Sequence, residues 1–89
     1  MIYLDNAATS FPKPENVYLE MDRCMREYCA NPGRSGHEMS LESNKKIMET
    51  RKELGGLFGI GDFFQLIFTK NASEALNIAI KGILKPGQR

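Results

Sequence analysis

The feature that most constrains this chain is an apolar segment that passes directly into a helical pattern. Residues 63–68 (Phe-Phe-Gln-Leu-Ile-Phe) are almost continuously apolar and end at a short polar turn, residues 69–71. Apolar side chains then recur with helical spacing from Leu76 to Leu84. The pattern predicts a strand over residues 64–68, of the kind buried inside a sheet, and then a helix that stops near Leu84. This is the local order of an α/β domain.

The start of this final helix is a candidate anion site. Ser73 stands where an N-cap residue belongs, and Asn71 is the alternative cap. A helix N-terminus presents unpaired N–H groups and the positive end of the helix dipole, so it can hold a phosphate. A capping serine with no ligand explains the same residues, and this stretch alone leaves both interpretations open.

Two further helices are predicted upstream. The first is expected over residues 14–29, because a proline suits a first helical position and apolar residues follow at helical spacing. Its apolar face consists of Val17, Met21, Cys24, Met25 and Tyr28. The second helix is expected over residues 38–58, with Gly59 as a natural residue to end it. Its apolar side consists of Ile47, Thr50, Leu54, Leu57 and Phe58.

The loop between these two helices carries the chain's single histidine. Residues 31–37 read Asn-Pro-Gly-Arg-Ser-Gly-His, and Ser35 and Glu38 have the spacing of a capping box. Arg34 could bind a carboxylate through two parallel hydrogen bonds, and His37 could orient a ligand or shuttle a proton. A surface loop whose only task is to start the next helix explains the same pattern.

Charge and cysteine content exclude several classes of function. The net charge of +1 gives no attraction to nucleic acid or to an anionic membrane. No apolar run approaches the ~20 residues that span a bilayer, so a soluble cytoplasmic protein is expected. Cys24 and Cys29 lie five apart on a predicted helix, where their side chains should diverge and form no disulfide. Two cysteines and one histidine also fall short of a structural zinc site, so no metal is expected.

The chain looks like a piece of a larger fold. The predicted strand at residues 64–68 has only residues 2–4 as a possible partner, and one strand cannot satisfy its own backbone groups. The final helix carries more apolar surface than two other helices would cover. We therefore expect either a fragment of a longer chain or an oligomer that supplies the missing strands.

Three stretches, taken in order, resemble the cysteine desulfurases, the class V branch of the fold-type I pyridoxal-phosphate enzymes. Residues 3–10 (Tyr-Leu-Asp-Asn-Ala-Ala-Thr-Ser) resemble the family's N-terminal signature, and residues 31–37 are similar to its second loop. Residues 68–77 (Phe-Thr-Lys-Asn-Ala-Ser-Glu-Ala-Leu-Asn) resemble the motif Phe-Thr-x-x-Ala-Thr-Glu-x-x-Asn, with serine in place of the commoner threonine. The order and spacing of the three stretches make the resemblance specific to the family.

The resemblance implies an α/β parent fold in which this segment is mostly helical with one or two short strands. Residues 1–60 would form an N-terminal arm and helices, and residues 61–89 the first strand and helix of the large cofactor domain. Ala72 and Ser73 match the pair that binds the phosphate of pyridoxal 5′-phosphate. The residues that match the family's substrate-side loops are Asn6, Ala7, Ala8, Arg34 and His37.

The resemblance also implies that the reacting groups lie elsewhere. In the family, the lysine that holds the cofactor covalently follows this segment, as do the aspartate on the pyridine nitrogen, the stacking histidine and the persulfide cysteine. No catalytic residue is therefore assigned here, and the 89 residues alone are expected to be inactive. Cys24 and Cys29 do not take the persulfide role, and Lys70 is not at the family's lysine position.

The whole enzyme, by this resemblance, would convert L-cysteine to L-alanine and pass the sulfur, as an enzyme persulfide, to an acceptor protein for iron–sulfur cluster assembly. It would be a cytoplasmic homodimer with no nucleic-acid or membrane partner. Other class V reactions stay open, including selenocysteine lyase, epimerase-like and aminotransferase activities. A non-catalytic helical oligomerisation module is the alternative from a different class. A nucleotide-phosphate binder is disfavoured, because the chain has no glycine-rich phosphate-loop motif.

Overall fold

The structure is a computed structural model that describes residues 1–33 and 36–88. Its elements, in chain order, are α1 (Glu15–Arg23), a π-helical turn (Cys24–Tyr28), α2 (Glu38–Phe58), a 3₁₀ turn (Phe63–Gln65) and α3 (Ala72–Ile83). The chain divides into two units, Met1–Thr50 and Arg51–Arg89. No helix in the described ranges is long and apolar enough to cross a membrane.

The first helical segment follows the predicted residues 14–29 closely but changes its winding. Pro14 precedes the helix as its N-cap residue, with φ −53° and ψ 140°, and α1 begins at Glu15. Beyond Arg23 the backbone widens into the π-helical turn, which ends at Tyr28. A π turn pairs residues five apart, so the face that α-helical spacing predicts is rotated at this point.

The helix α2 occupies the predicted range and ends in a Schellman motif. Gly59 adopts a φ of +68°, a left-handed conformation that glycine reaches without steric cost. The N–H of Gly59 donates to the carbonyl of Gly56 at 3.4 Å, and the N–H of Ile60 donates to the carbonyl of Gly55 at 2.7 Å. A Cβ on Gly55 would lie 3.4 Å from the Ile60 carbonyl oxygen, so the turn closes tightly over this glycine.

The start of α2 differs from the predicted capping box. The helix begins at Glu38, which is therefore its first residue rather than its third. The side chain that caps it is His37, whose Nδ1 accepts from the N–H of Ser40 at 3.2 Å. Ser35, the other half of the predicted box, lies outside the described residues.

The prediction of a strand at residues 64–68 is wrong for this chain. Asp62 caps a 3₁₀ turn over Phe63–Gln65, with its Oδ1 accepting from the N–H of Phe64 at 3.0 Å. The next residue, Leu66, is extended, with φ −91° and ψ 119°. No strand forms anywhere in residues 1–33 or 36–88. A strand exists only through its ladder of hydrogen bonds, and residues 2–4 do not provide one.

Burial is concentrated at a few positions. Tyr28 is the only buried large apolar side chain in the described part of the chain. The buried polar side chains are those of Ser40 and Ser43 on α2. The predicted inner side of α3 is not buried, since no residue of that helix is and Leu76 is 61% exposed. The pattern that predicts an apolar face on α3 is present, but nothing in the described residues covers it.

Candidate functional site

The first turn of α3 is capped by Asn71 and not by Ser73. Asn71 is extended, with φ −164° and ψ 172°, and its Oδ1 accepts from the N–H of Glu74 at 2.9 Å. The carbonyl of Asn71 accepts from the N–H of Ala75 at 3.2 Å. The alternative cap that the sequence offered is therefore the correct one, because the helix starts one residue before Ser73.

This capping arrangement leaves the predicted phosphate-binding pair without a structural task. No described residue accepts a hydrogen bond from the N–H of Ala72 or Ser73, and both residues are exposed. The Ser73 hydroxyl is not the cap, and the Ser73 carbonyl accepts from the amide of Asn77 at 2.8 Å. Two N–H groups and one hydroxyl thus stand together at the positive end of a 12-residue helix.

The turn ahead of α3 is held by its own side chains. The hydroxyl of Thr69 donates to the carbonyl of Asn71 at 2.9 Å. Glu74 is half-buried in the first turn, where a carboxylate is favoured by the helix dipole. The entry to the helix is therefore ordered by contacts within residues 69–75.

Two buried serines of α2 hold the backbone of residues 28–31. The hydroxyl of Ser43 donates to the carbonyl of Tyr28 and accepts from the N–H of Ala30 at 3.4 Å. The hydroxyl of Ser40 donates to the carbonyl of Asn31 at 2.8 Å. The exposed fractions of Ser40 and Ser43 are only 1% and 9%, so both hydroxyls exchange water for protein partners.

A charged cluster surrounds the buried tyrosine. The hydroxyl of Tyr28 donates to the carboxylate of Glu20, which lies 3.4 Å from the guanidinium of Arg23 and 3.8 Å from the ammonium of Lys46. The tyrosine hydrogen bond, helped by the two cations and opposed by burial, lowers the pKa of Glu20. The same hydrogen bond raises the pKa of Tyr28, and the charge of Glu20 raises the pKa of Arg23.

The N-terminal loop, predicted to line the substrate side, is folded on itself. Asn6 accepts from the N–H of Phe11 through its Oδ1 at 2.9 Å and donates to the carbonyl of Tyr3 at 3.4 Å. The rings of Tyr3 and Phe11 meet edge to face with centroids 5.6 Å apart. Ala7 and Ala8 are exposed at the tip of this turn. The Asn6 amide therefore stabilises its own loop in this structure.

The predicted site residues are divided between the two units and the part of the chain that is not described. No hydrogen bond within residues 1–33 and 36–88 joins Asn6–Ala8 to His37. Ala72 and Ser73 belong to the second unit, which is described by itself. Arg34 lies outside the described residues. No group of three or more potential metal ligands occurs in the described part of the chain.

Both cysteines line one cavity of about 290 Å³ together with Lys46 and Ile47. Cys24 is half-buried, Cys29 is exposed, and both are free thiols, so the expectation of no disulfide agrees with the structure. Cys29 lies directly after the π-helical turn, with φ −71° and ψ 83°.

Sequence reasoning missed Ser40 and Ser43. Serine at the third and sixth positions of a charged helix resembles a solvent-facing residue, and only the course of the preceding loop reveals the partners. The one available signal was their spacing of three, which places both hydroxyls on one face of α2.

Comparison with known proteins places the chain in a family. The sequence profile described as aminotransferase class-V matches residues 2–89. A probable cysteine desulfurase of Methanothermobacter thermautotrophicus is 37% identical over 82 residues, covering 92% of this chain and 20% of that protein. A probable cysteine desulfurase of Pyrococcus abyssi is 39% identical over 84 residues, covering 93% of this chain and 20% of that protein. A cysteine desulfurase of Frankia sp. is 37% identical over 92 residues, covering 100% of this chain and 21% of that protein.

The chain therefore spans about a fifth of the length of the curated relatives that it matches. No solved structure matches it significantly. The profile match extends over almost every residue, and it includes all three stretches whose motifs resemble the family. The chain belongs to the class V aminotransferase family.

Proposed function

We propose that this chain is the N-terminal part of a pyridoxal-phosphate enzyme of the cysteine desulfurase type, with Ala72 and Ser73 contributing to the phosphate site. The observation that carries the proposal is the first turn of α3, where two N–H groups and a hydroxyl have no protein partner to satisfy them in the described residues. The names of the relatives support the desulfurase type, and this chain spans about a fifth of the length of each of them.

The residues present fit the cofactor's phosphate. A phosphate offers oxygen acceptors to such donors. The Oδ1 of Asn71 accepts from the N–H of Glu74, so this capping oxygen does not compete for the donors of Ala72 and Ser73. The substitution of serine for the commoner threonine retains the hydroxyl. Pyridoxal phosphate would supply the electron sink that labilises bonds of an amino acid. The role of this chain is to hold the phosphate end and so orient the cofactor.

The remaining predicted residues would act on the substrate side. Asn6 holds the turn that presents Ala7 and Ala8, small side chains that let another group approach the backbone. Arg34 and His37 would bind the polar groups of L-cysteine at the entrance. The sulfur acceptor protein, the homodimer, the cytoplasmic location and the link to iron–sulfur cluster assembly are parts of the same proposal.

The segment alone should have no desulfurase activity. Holding a phosphate orients the cofactor, but the proposal places the covalent lysine and the sulfur-accepting cysteine outside residues 1–89. The exposed apolar face of α3 supports the proposal of a larger fold, since Leu76, Ile80 and Ile83 are 61%, 55% and 77% exposed.

The direct test is titration of the isotopically labelled chain with pyridoxine 5′-phosphate, followed by amide NMR. This probe has no aldehyde, so it cannot react with lysines. We expect the Ala72 and Ser73 amides to shift with the phosphorylated probe and not with pyridoxine. Ser73→Ala should weaken the binding, whereas Ser10→Ala, an exposed serine in the first unit, should not. Equal responses to both probes, or none at these amides, would contradict the phosphate role.

The activity test uses the complete reading frame that contains this segment. Alanine release and enzyme-bound sulfur from L-cysteine would support a desulfurase. Preference for selenocysteine, or transfer of an amino group, would instead support another class V reaction.

A helical oligomerisation module is the second candidate, favoured by the apolar side chains exposed on α3. A stable oligomer that ignores both probes would support the module.

A further inference from the structure

We propose that Ser40 is a positioning residue that clamps both ends of the loop at residues 31–37 and holds His37 as its Nε2–H tautomer. The loop then offers its ligand a hydrogen-bond donor suited to an oxygen anion. The identification of that ligand as a substrate carboxylate rests on the proposed function, but the clamp and the tautomer do not.

The clamp is built from one residue with two contacts. The hydroxyl of Ser40 donates to the carbonyl of Asn31 at 2.8 Å, and its N–H donates to Nδ1 of His37 at 3.2 Å. Asn31 and His37 are the first and last residues of the loop. Only 1% of Ser40 is exposed, so water does not compete for its hydroxyl. Both ends of the loop are therefore tied to the first turn of α2.

The second contact determines where the imidazole carries its hydrogen. A neutral imidazole has one N–H and one acceptor nitrogen. Nδ1 accepts from a backbone N–H, which can only donate, so the hydrogen of the neutral ring is on Nε2. His37 is exposed, and no described residue accepts a hydrogen bond from its Nε2.

This tautomer restricts what the loop can do. Nε2–H donates a hydrogen bond and cannot remove a proton from a ligand while the ring is neutral. A donor at Nε2 suits a carboxylate or another oxygen anion, and a role for His37 as a base at Nε2 is disfavoured.

The same contact also caps α2, so the test must separate capping from tautomer control. Long-range nitrogen–proton NMR of the imidazole distinguishes a protonated from an unprotonated nitrogen directly. It is recorded on the 89-residue chain over a series of pH values, and the nitrogen chemical shifts themselves identify the neutral form of the ring. We expect Nδ1 to be the unprotonated nitrogen and Nε2 the protonated one, in at least nine-tenths of the molecules.

Three variants sharpen the test. Ser40→Ala removes the hydroxyl and retains the N–H, so the tautomer should persist while the amides near Asn31 exchange faster with solvent. Ser40→Pro removes the N–H as well and should allow both tautomers. Met39→Pro is the matched control, since it also places proline in the first turn but spares the donor to His37.

The outcomes are decisive in either direction. An Nδ1–H tautomer or an even mixture in the unsubstituted chain would overturn the proposal, even if Ser40→Pro fails to fold. Loss of the tautomer in Met39→Pro as well would show that helix formation, and not the Ser40 donor, fixes the ring. Failure of the phosphate titration described above would leave these results unaffected, because no cofactor is used.

Discussion

The two units of this molecule differ in how much of their side chains they bury. In Met1–Thr50, the hydroxyls of Ser40 and Ser43 are enclosed and paired with the backbone of residues 28–31. In Arg51–Arg89, α3 buries nothing and exposes most of its apolar side chains. The backbone of residues 28–31 in the first unit is thus held by hydrogen bonds within the chain. The α3 helix has a defined start and end, but its apolar face is exposed among the described residues.

The strongest test of this contrast deletes one large side chain from each unit. Tyr28→Ala removes the buried ring and its hydrogen bond to Glu20, and we expect the first unit to lose its cooperative unfolding. Leu76→Ala, at a position 61% exposed, should change the free energy of unfolding by less than about 0.5 kcal/mol. Residue-resolved hydrogen exchange measures both. A comparable loss in Leu76→Ala would show that α3 is buried in solution.

The next test concerns the buried serines. Ser43→Ala leaves the carbonyl of Tyr28 and the N–H of Ala30 without their partner, and we expect a loss of about 1–3 kcal/mol in urea unfolding. Thr50→Ala is the control on the same helix, because its hydroxyl bonds the Lys46 carbonyl at an exposed position. Equal losses in the two variants would show that burial does not distinguish the hydroxyls.

A smaller effect separates the two residues at the start of α3. Asn71→Ala should cost about 1 kcal/mol of helix stability, since Asn71 caps the helix. Ser73→Ala should cost less than about 0.5 kcal/mol, since its hydroxyl is not the cap. Circular dichroism during thermal unfolding compares them. The reverse order would reinstate Ser73 as the cap and weaken its assignment to a ligand.

The smallest effect is the pH dependence of the first unit. The pKa of Glu20 is lowered from its usual 4.5, chiefly by the Tyr28 hydroxyl, so the unfolded state binds the proton first as pH falls. Stability from this contact is therefore complete above pH 4.5 and is lost as pH falls through the lower native pKa. The free energies of unfolding of the unsubstituted chain and Tyr28→Phe should differ at pH 7, and the difference should shrink as pH falls below 4.5. A constant difference would assign the effect of Tyr28→Phe to packing.

Local patterns predicted the helices, and long-range partners decided the rest. The range of α2 could be predicted because helical spacing and Gly59 are local signals. The choice between Asn71 and Ser73 could not be settled, since both suit a cap and the difference is one backbone conformation. The strand at residues 64–68 failed because its signal is apolar composition, whereas its formation needs a neighbouring strand.

The candidate site shows the same division. The motifs around Asn6, Ala72 and Ser73 could be found in the sequence, and the profile match to the family covers them. The Ser40 contacts to Asn31 and His37 could not, because they depend on how the loop returns to α2. The phosphate and substrate roles stay predictions for the titrations to test.

The turn after α2 has a consequence for the order of folding. Its two closing hydrogen bonds join Gly59 to Gly56 and Ile60 to Gly55, all within six residues. Contacts of such short range form in well under about 1 µs, before chain segments far apart in sequence can meet. The exit from α2 can therefore be complete as soon as Ile60 is available. In a chain emerging from the ribosome, the direction in which the backbone leaves α2 would be set before residues 61–89 are synthesised.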